Sequence, residues 1–122
     1  LEWWGRRTDM ADVLRNSHIV CLPTSYGEGV PRILIEAAAS GRPIISTDVP
    51  GCLEVARHGE TGIVVPVGDI EALGEALKTL ILDPVKRSEM GLNGRRLVER
   101  ELSEAIVNSQ TLAVYEKVCG AP

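Results

Sequence analysis

The sequence predicts an α/β domain built on a parallel sheet and ending in a run of helices. Three observations carry that prediction. The apolar runs Ile19-Val20-Cys21-Leu22, Pro43-Ile44-Ile45-Ser46 and Ile63-Val64-Val65 have strand length and no polar alternation, as strands buried on both faces do. They alternate with helix-length stretches, the pattern of strand–helix–strand units. Capping acids, glycine and proline stand at the changeovers. A chain of 122 residues has room for one domain, 1–122, with its own core.

In chain order, Leu1 to Trp4 can form a short strand. Asp9 is placed to cap a helix whose apolar face is Met10, Val13 and Leu14. Ile19 to Leu22 follows as a buried strand, with Cys21 a small apolar residue inside it. Pro31 can open an Ala-rich helix that runs to Ser40, and such a helix packs closely on a sheet. Gly41 suits the position after its last turn, and Pro43 blocks continuation. After the Pro43–Ser46 strand, a helical turn over Cys52 to Arg57 leads to the Ile63–Val65 strand. Asp69 then caps a helix with Ile70, Leu73, Leu77, Leu80 and Ile81 on one face. Asp83-Pro84 starts the next, whose core residues are Met90, Leu97 and Val98, with Asn93-Gly94 weakening its middle. Ser103 starts a last helix with Val107, Thr111, Val114 and Val118 as its stripe.

Composition narrows the function. A net charge of -4 argues against nucleic acid as a partner, because that requires a basic surface to displace counterions. No apolar run approaches the ~20 residues that span a bilayer, and no signal peptide is visible. The first residue is Leu1 rather than Met, so a piece of a longer protein is expected. Cys21, Cys52 and Cys119 are widely spaced, without a CxxC or Cys/His cluster, and read as structural thiols rather than metal ligands. His18 and His58 read as surface or turn residues.

The chemistry concentrates in Pro23 to Gly41. Glu28 lies between Gly27 and Gly29 in the loop after the Ile19–Leu22 strand. Glu36 lies in the following helix, a rare acid among Ile35 and Ala37-Ala38-Ala39. A strand, a flexible loop and a helix N-terminus build an anion site. Two carboxylates around it suit a ligand that carries hydroxyls as well as phosphate, such as a nucleotide sugar.

Glu28 and Glu36 resemble the E-x7-E signature of the retaining glycosyltransferases of group 1 (family 4) with the GT-B fold. Four more motifs follow in the family's order. Pro23-Thr24-Ser25 resembles its "PS"; Gly41-Arg42-Pro43-Ile44-Ile45-Ser46-Thr47-Asp48-Val49-Pro50-Gly51 resembles "GxPVVATDVGG". Gly59-Glu60-Thr61-Gly62-Ile63-Val64-Val65 resembles "DGxTGLLV", and Val67-Gly68-Asp69-Ile70-Glu71-Ala72-Leu73 resembles "GDxEALA".

The resemblance implies the Rossmann-like half of a GT-B donor-binding domain, with helices on both faces of the sheet. It implies a full-length hexosyltransferase that moves a sugar, with retention, from a nucleoside diphosphate to an acceptor hydroxyl. The donor would be UDP-linked, no metal or other cofactor would be needed, and the setting would be bacterial surface polysaccharide or glycan synthesis. By the same resemblance Glu28, the catalytic residue of the set, contacts and orients the donor sugar, and Glu36 accepts the ribose hydroxyls. Gly29, Val30, Arg32 and Ile33 face the diphosphate, and Ser25 and Gly51 complete the donor-binding set.

Pro31 departs from the family's commoner "EGFG" and removes one N–H. The Arg32 guanidinium can pair with phosphate or cover the surface. Gly51 can shape the site or serve only as a turn. The acceptor, a glycan or lipid-linked sugar, would be held by an N-terminal domain outside this chain. The expected location is cytoplasmic, at the inner face of the membrane. Taken alone, the 122 residues are expected to be inactive. They are also expected to self-associate through the Ile19–Leu22 edge, or to cover that edge with the N-terminal strand. Two other readings stay open: a non-catalytic nucleotide-binding or interaction module, and a GT-B sugar epimerase.

Overall fold

Val20–Leu22 (β1), Ile44–Thr47 (β2) and Gly62–Val65 (β3) form a three-stranded parallel sheet in the order β1-β2-β3. The structure, a computed structural model, describes residues 2–5, 7–26 and 29–101. The helix expected from Ser103, the thiol of Cys119 and the carboxylate of Glu28 lie outside the described residues. The helices are Met10–Arg15 (α1), Arg32–Ala39 (α2), Pro50–Leu53 (α3), Ile70–Leu82 (α4) and Pro84–Arg100 (α5).

β2 is central and buried along its whole length, which is why its sequence shows no polar alternation. Register aligns Val20 with Ile44 and Gly62, and Cys21 with Ile45 and Ile63. Successive side chains on a strand point to opposite faces. Ile44 accordingly packs with Leu14, Leu34, Ala37, Ala38, Cys52, Val55 and Ala56, the layer of α1, α2 and α3. Ile45 packs with Val65, Ala76, Leu80 and Met90, the layer of α4 with the start of α5, while Val98 further along α5 packs against the first layer. Helices therefore cover both faces. Each fully buried aliphatic side chain, Leu34 or Leu80 for example, contributes about 1.5–3 kcal/mol of transfer free energy.

The helix ends follow the sequence closely. Gly41 adopts φ 73° after α2. Its N–H donates to Ala38 C=O at 3.0 Å, and the Arg42 N–H donates to Ala37 C=O at 2.9 Å, the paired closure of a Schellman end. The Asp69 carboxylate accepts the Ala72 N–H at 2.9 Å, and Asp83 accepts the Lys86 N–H at 2.9 Å with Pro84 behind it. The His58 ring accepts the Val64 N–H through Nδ1 at 3.1 Å, so this turn residue is structural.

Several expectations are corrected. Residues 2–4 form no strand, and neither Trp3 (93% exposed) nor Trp4 is buried. They do not cover β1, which has one strand neighbour among the described residues. Cys21, on this edge strand, is exposed. Asp9 does precede α1, but its carboxylate is taken by Arg7 and caps no N–H. Pro31 is the residue before α2 rather than its first. Ile70 and Ile81 are exposed, leaving Leu73, Ala76, Leu77 and Leu80 as the packed stripe of α4. The α3 turn starts at Pro50, before Cys52.

α5 runs unbroken through Asn93-Gly94, where weakening was expected. Both of its buried glycines permit close approach to α2: a Cβ on Gly91 would lie 2.0 Å from the Gly41 carbonyl oxygen, and one on Gly94 would lie 3.4 Å from the Ala38 Cβ. Contact between helices offsets the helix cost of glycine.

Candidate donor site at the strand ends

Parallel strands place their three C-terminal ends along one edge of the sheet, where open α/β sheets bind ligands. The segment after β1 leads to α2, and the short connection after β2 leads to α3. These two meet. A Cβ on Gly51 would lie only 1.8 Å from the carbonyl oxygen of Gly29, so glycine at position 51 is a steric requirement of the contact. Gly29 itself has φ 96°, a conformation glycine adopts without strain. Of the two roles open to Gly51, turn or site-shaping, the structure gives it a direct contact with the site loop.

The same loop is tied to β2. The Thr47 hydroxyl donates to the Thr24 carbonyl at 2.6 Å, and the Ser46 hydroxyl donates to the Leu22 carbonyl at 2.9 Å. Both side chains are buried, so each hydroxyl needs a partner. Thr47 was not singled out as a site residue. The available signal was a pair of hydroxyls closing an otherwise apolar buried strand. Ser25 and Tyr26 are exposed beyond this tether, in a turn held by the Thr24 hydroxyl donating to the Tyr26 carbonyl at 2.8 Å.

The N-terminus of α2 is open. Pro31 precedes it in extended conformation (φ -63°, ψ 127°), no side chain caps it, and its first turn holds no acid. The Leu34 N–H already donates to the Pro31 carbonyl at 3.1 Å. Among the described residues the N–H groups of Val30, Arg32 and Ile33 have no acceptor. Pro31 therefore costs the helix no donor, since the helical amides begin at Arg32. Unpaired N–H groups and the positive end of the helix dipole together attract an anion. The Ile33 side chain packs on the core, so only its backbone serves such a site.

Glu36 stands one turn further along α2. It accepts the Arg32 Nε–H at 2.9 Å, an i,i+4 ion pair in which the Arg32 side chain is 89% exposed and that of Glu36 34%. The Arg32 guanidinium lies at the surface, paired with Glu36. The structure thus brings Gly29, Val30, Arg32, Ile33, Glu36 and Gly51 to one place, with Ser25 on the adjoining loop. Donor amides, a carboxylate and an exposed cation within one helical turn can bind a ligand bearing both phosphate and vicinal hydroxyls.

A family model described as glycosyl transferases group 1 matches residues 1–97. The phosphatidyl-myo-inositol mannosyltransferase of Mycobacterium leprae is 36% identical over 88% of this chain and 29% of its own length. The capsular polysaccharide biosynthesis glycosyltransferase CapM of Staphylococcus aureus is 34% identical over 88% of this chain and 28% of its own. The chain thus spans under a third of these curated relatives. Among solved structures, Anabaena HepE in complex with UDP and glucose superposes with a TM-score of 0.82 at 21% identity, covering 95% of this chain and 32% of HepE. The C-terminal domain of the Francisella tularensis group 1 glycosyl transferase LpcC superposes with a TM-score of 0.73 at 23% identity, covering 85% of this chain and 53% of that one.

Proposed function

The chain belongs to the group 1 glycosyltransferases, and from that premise we propose that it is the nucleotide-sugar-binding part of a larger, retaining hexosyltransferase. In this reading the sugar leaves a nucleoside diphosphate for an acceptor hydroxyl: the bond from its anomeric carbon to the phosphate oxygen breaks, and one to the acceptor oxygen forms on the same face. The donor is UDP-linked; HepE, of the same fold, was crystallised with UDP and glucose. The acceptor is a glycan or lipid-linked sugar held by a further, N-terminal domain, at the inner face of the membrane and in surface-polysaccharide synthesis, as CapM's name supports. Among the described residues no helix is long and apolar enough to cross a membrane.

The observation that carries this reading is the open α2 N-terminus with Glu36 one turn below it. The Arg32 and Ile33 amides, with Gly29 and Val30 before them, receive the diphosphate. They stabilise the charge that grows on it as the glycosidic bond breaks, an electrostatic contribution to catalysis that calls for no metal. Glu36 accepts the ribose hydroxyls, Glu28 orients the donor sugar, Ser25 borders it, and Gly51 fixes the loop. No covalent glycosyl intermediate is assigned to Glu28.

Glu36→Ala in the full-length enzyme tests the assignment. Two charge-assisted bonds, each worth about 1.5–3 kcal/mol, are lost, so activity falls by about a hundredfold or more, chiefly through donor KM. A folded variant with unchanged donor KM and kcat would sink the ribose role.

A further inference from the structure

We propose that Arg32 is a two-position residue of the donor site: it holds the Glu36 carboxylate when the site is empty and moves to the diphosphate when the donor binds. The inference rests on the donor-site reading above and adds to it an order of events. Three observations support it. First, the Arg32 Nε–H donates at 2.9 Å to Oε1 of Glu36, one of the two carboxylate oxygens that the ribose hydroxyls would use. Second, the guanidinium is held there weakly. It is 89% exposed, and among the described residues Glu36 is its one side-chain partner. An exposed i,i+4 pair shifts an equilibrium only about twofold. Third, Arg32 is the first residue of α2, and side chains lean toward the N-terminus of their helix. Its natural reach is toward the open amides, and the bond to Glu36 draws it back one turn.

A guanidinium also suits the replacement partner. Its planar fork meets two phosphate oxygens at once, and it stays charged throughout. Transfer of Arg32 to the diphosphate frees Glu36 for hydroxyls at the moment the nucleoside arrives. A nucleoside without phosphate must compete with Arg32 for Glu36, while a diphosphate removes that competitor. The site therefore favours nucleoside diphosphates over nucleosides by more than the phosphate contacts themselves supply.

The test measures binding of pyrophosphate, uridine and UDP to the full-length protein as wild type, Arg32→Gln, Arg32→Lys and Glu36→Gln. With Arg32→Gln, pyrophosphate is expected to bind about tenfold more weakly and uridine about twofold more tightly. Arg32→Lys should restore part of the pyrophosphate affinity. With Glu36→Gln the signs reverse: uridine weakens and pyrophosphate tightens about twofold. If Arg32 only oriented Glu36, Arg32→Gln would weaken uridine and leave pyrophosphate unchanged, and that result would overturn the proposal while the donor-site reading stood. Wild-type protein that binds neither UDP nor pyrophosphate would remove the reading and the proposal together.

Discussion

Gly51→Ala isolates the contact that sets the site loop. The substitution is gentle by every local measure. Gly51 lies in α3 without positive φ, and alanine raises helix propensity by up to about 1 kcal/mol. The difficulty is wholly steric. The new Cβ would lie 1.8 Å from the Gly29 oxygen and 2.5 Å from its carbon, and real Cβ contacts stop near 3.0 Å. Relief requires a displacement of about 1.2 Å between α3 and the loop. On the other side of α3, Cys52 is fully buried against a close-packed core, which resists movement. Gly29 is exposed and its residue is on the softer side.

The loop should therefore move and the core stay. A misplacement of about 1 Å in a positioning element costs about a hundredfold in rate, so donor kcat/KM in the full-length enzyme should fall by ten- to hundredfold (roughly 1.4–2.7 kcal/mol). The melting temperature should change by no more than about 4 °C. Steady-state kinetics against the donor, with thermal melts of the same preparation, make the measurement. Wild-type kinetics in the alanine variant would refute the reasoning, and so would a large loss of stability with normal kinetics.

Other outcomes follow from the same geometry. The isolated 122-residue chain should be catalytically silent while binding nucleoside diphosphate near millimolar (about 4 kcal/mol), and its free β1 edge should recruit a second copy; donor turnover above a Glu28/Glu36 double variant, or a strictly monomeric sedimentation mass, counts against these respectively. Gly62→Ala places a Cβ 1.8 Å from the Ile44 carbonyl oxygen, inside the sheet where no side chain can yield, and should cost about 3 kcal/mol in denaturant unfolding; a change under about 0.5 kcal/mol would contradict the close approach. The Arg57 guanidinium, 2.6 Å from Glu101, holds that carboxyl below its ordinary value of 4.5. A depressed folded-state value gives stability that is present above the ordinary value and lost as pH falls through the folded one. Glu101→Gln should therefore lose a small amount of stability at neutral pH and none at pH below the folded value, which flattens the acid limb of the stability curve; an unaltered acid limb would exclude the linkage.

Features with local causes were legible in the sequence. The Gly41 closure, the Asp69 and Asp83 caps and the β2 run each depend on residues within a few positions of one another. Features that depend on what lies across the fold were not. Periodicity placed Ile70 and Ile81 on the packed face of α4, yet that face reaches the sheet only through its middle turns. Cys21 sits in an apolar run, but among the described residues its strand has a neighbour on one side, and apolar sequence cannot reveal which strands lie at an edge. Asp9 had the right spacing for a cap and a nearer competitor in Arg7. The i,i+4 spacing of Arg32 and Glu36 is a local signal for the ion pair between them.

The loop after β1 shows most plainly why the site was only half legible. Its glycines announce a backbone free to approach a ligand, but freedom does not state a position. Position comes from β2. That strand is buried on both faces, so it is the least movable part of the described structure. It ends in Thr47, whose hydroxyl holds the loop at Thr24, and it leads directly into α3, whose Gly51 seats Gly29. The loop is thus fixed at both ends of its described course by residues that follow it in sequence and read locally as strand and turn. A rigid central strand can hold a ligand loop this way while leaving Tyr26 and Val30 exposed. In the proposed donor site, substitutions at Thr47 and Gly51 would then act on donor binding without touching the donor, whereas substitutions at Arg32 and Glu36 would act on it directly.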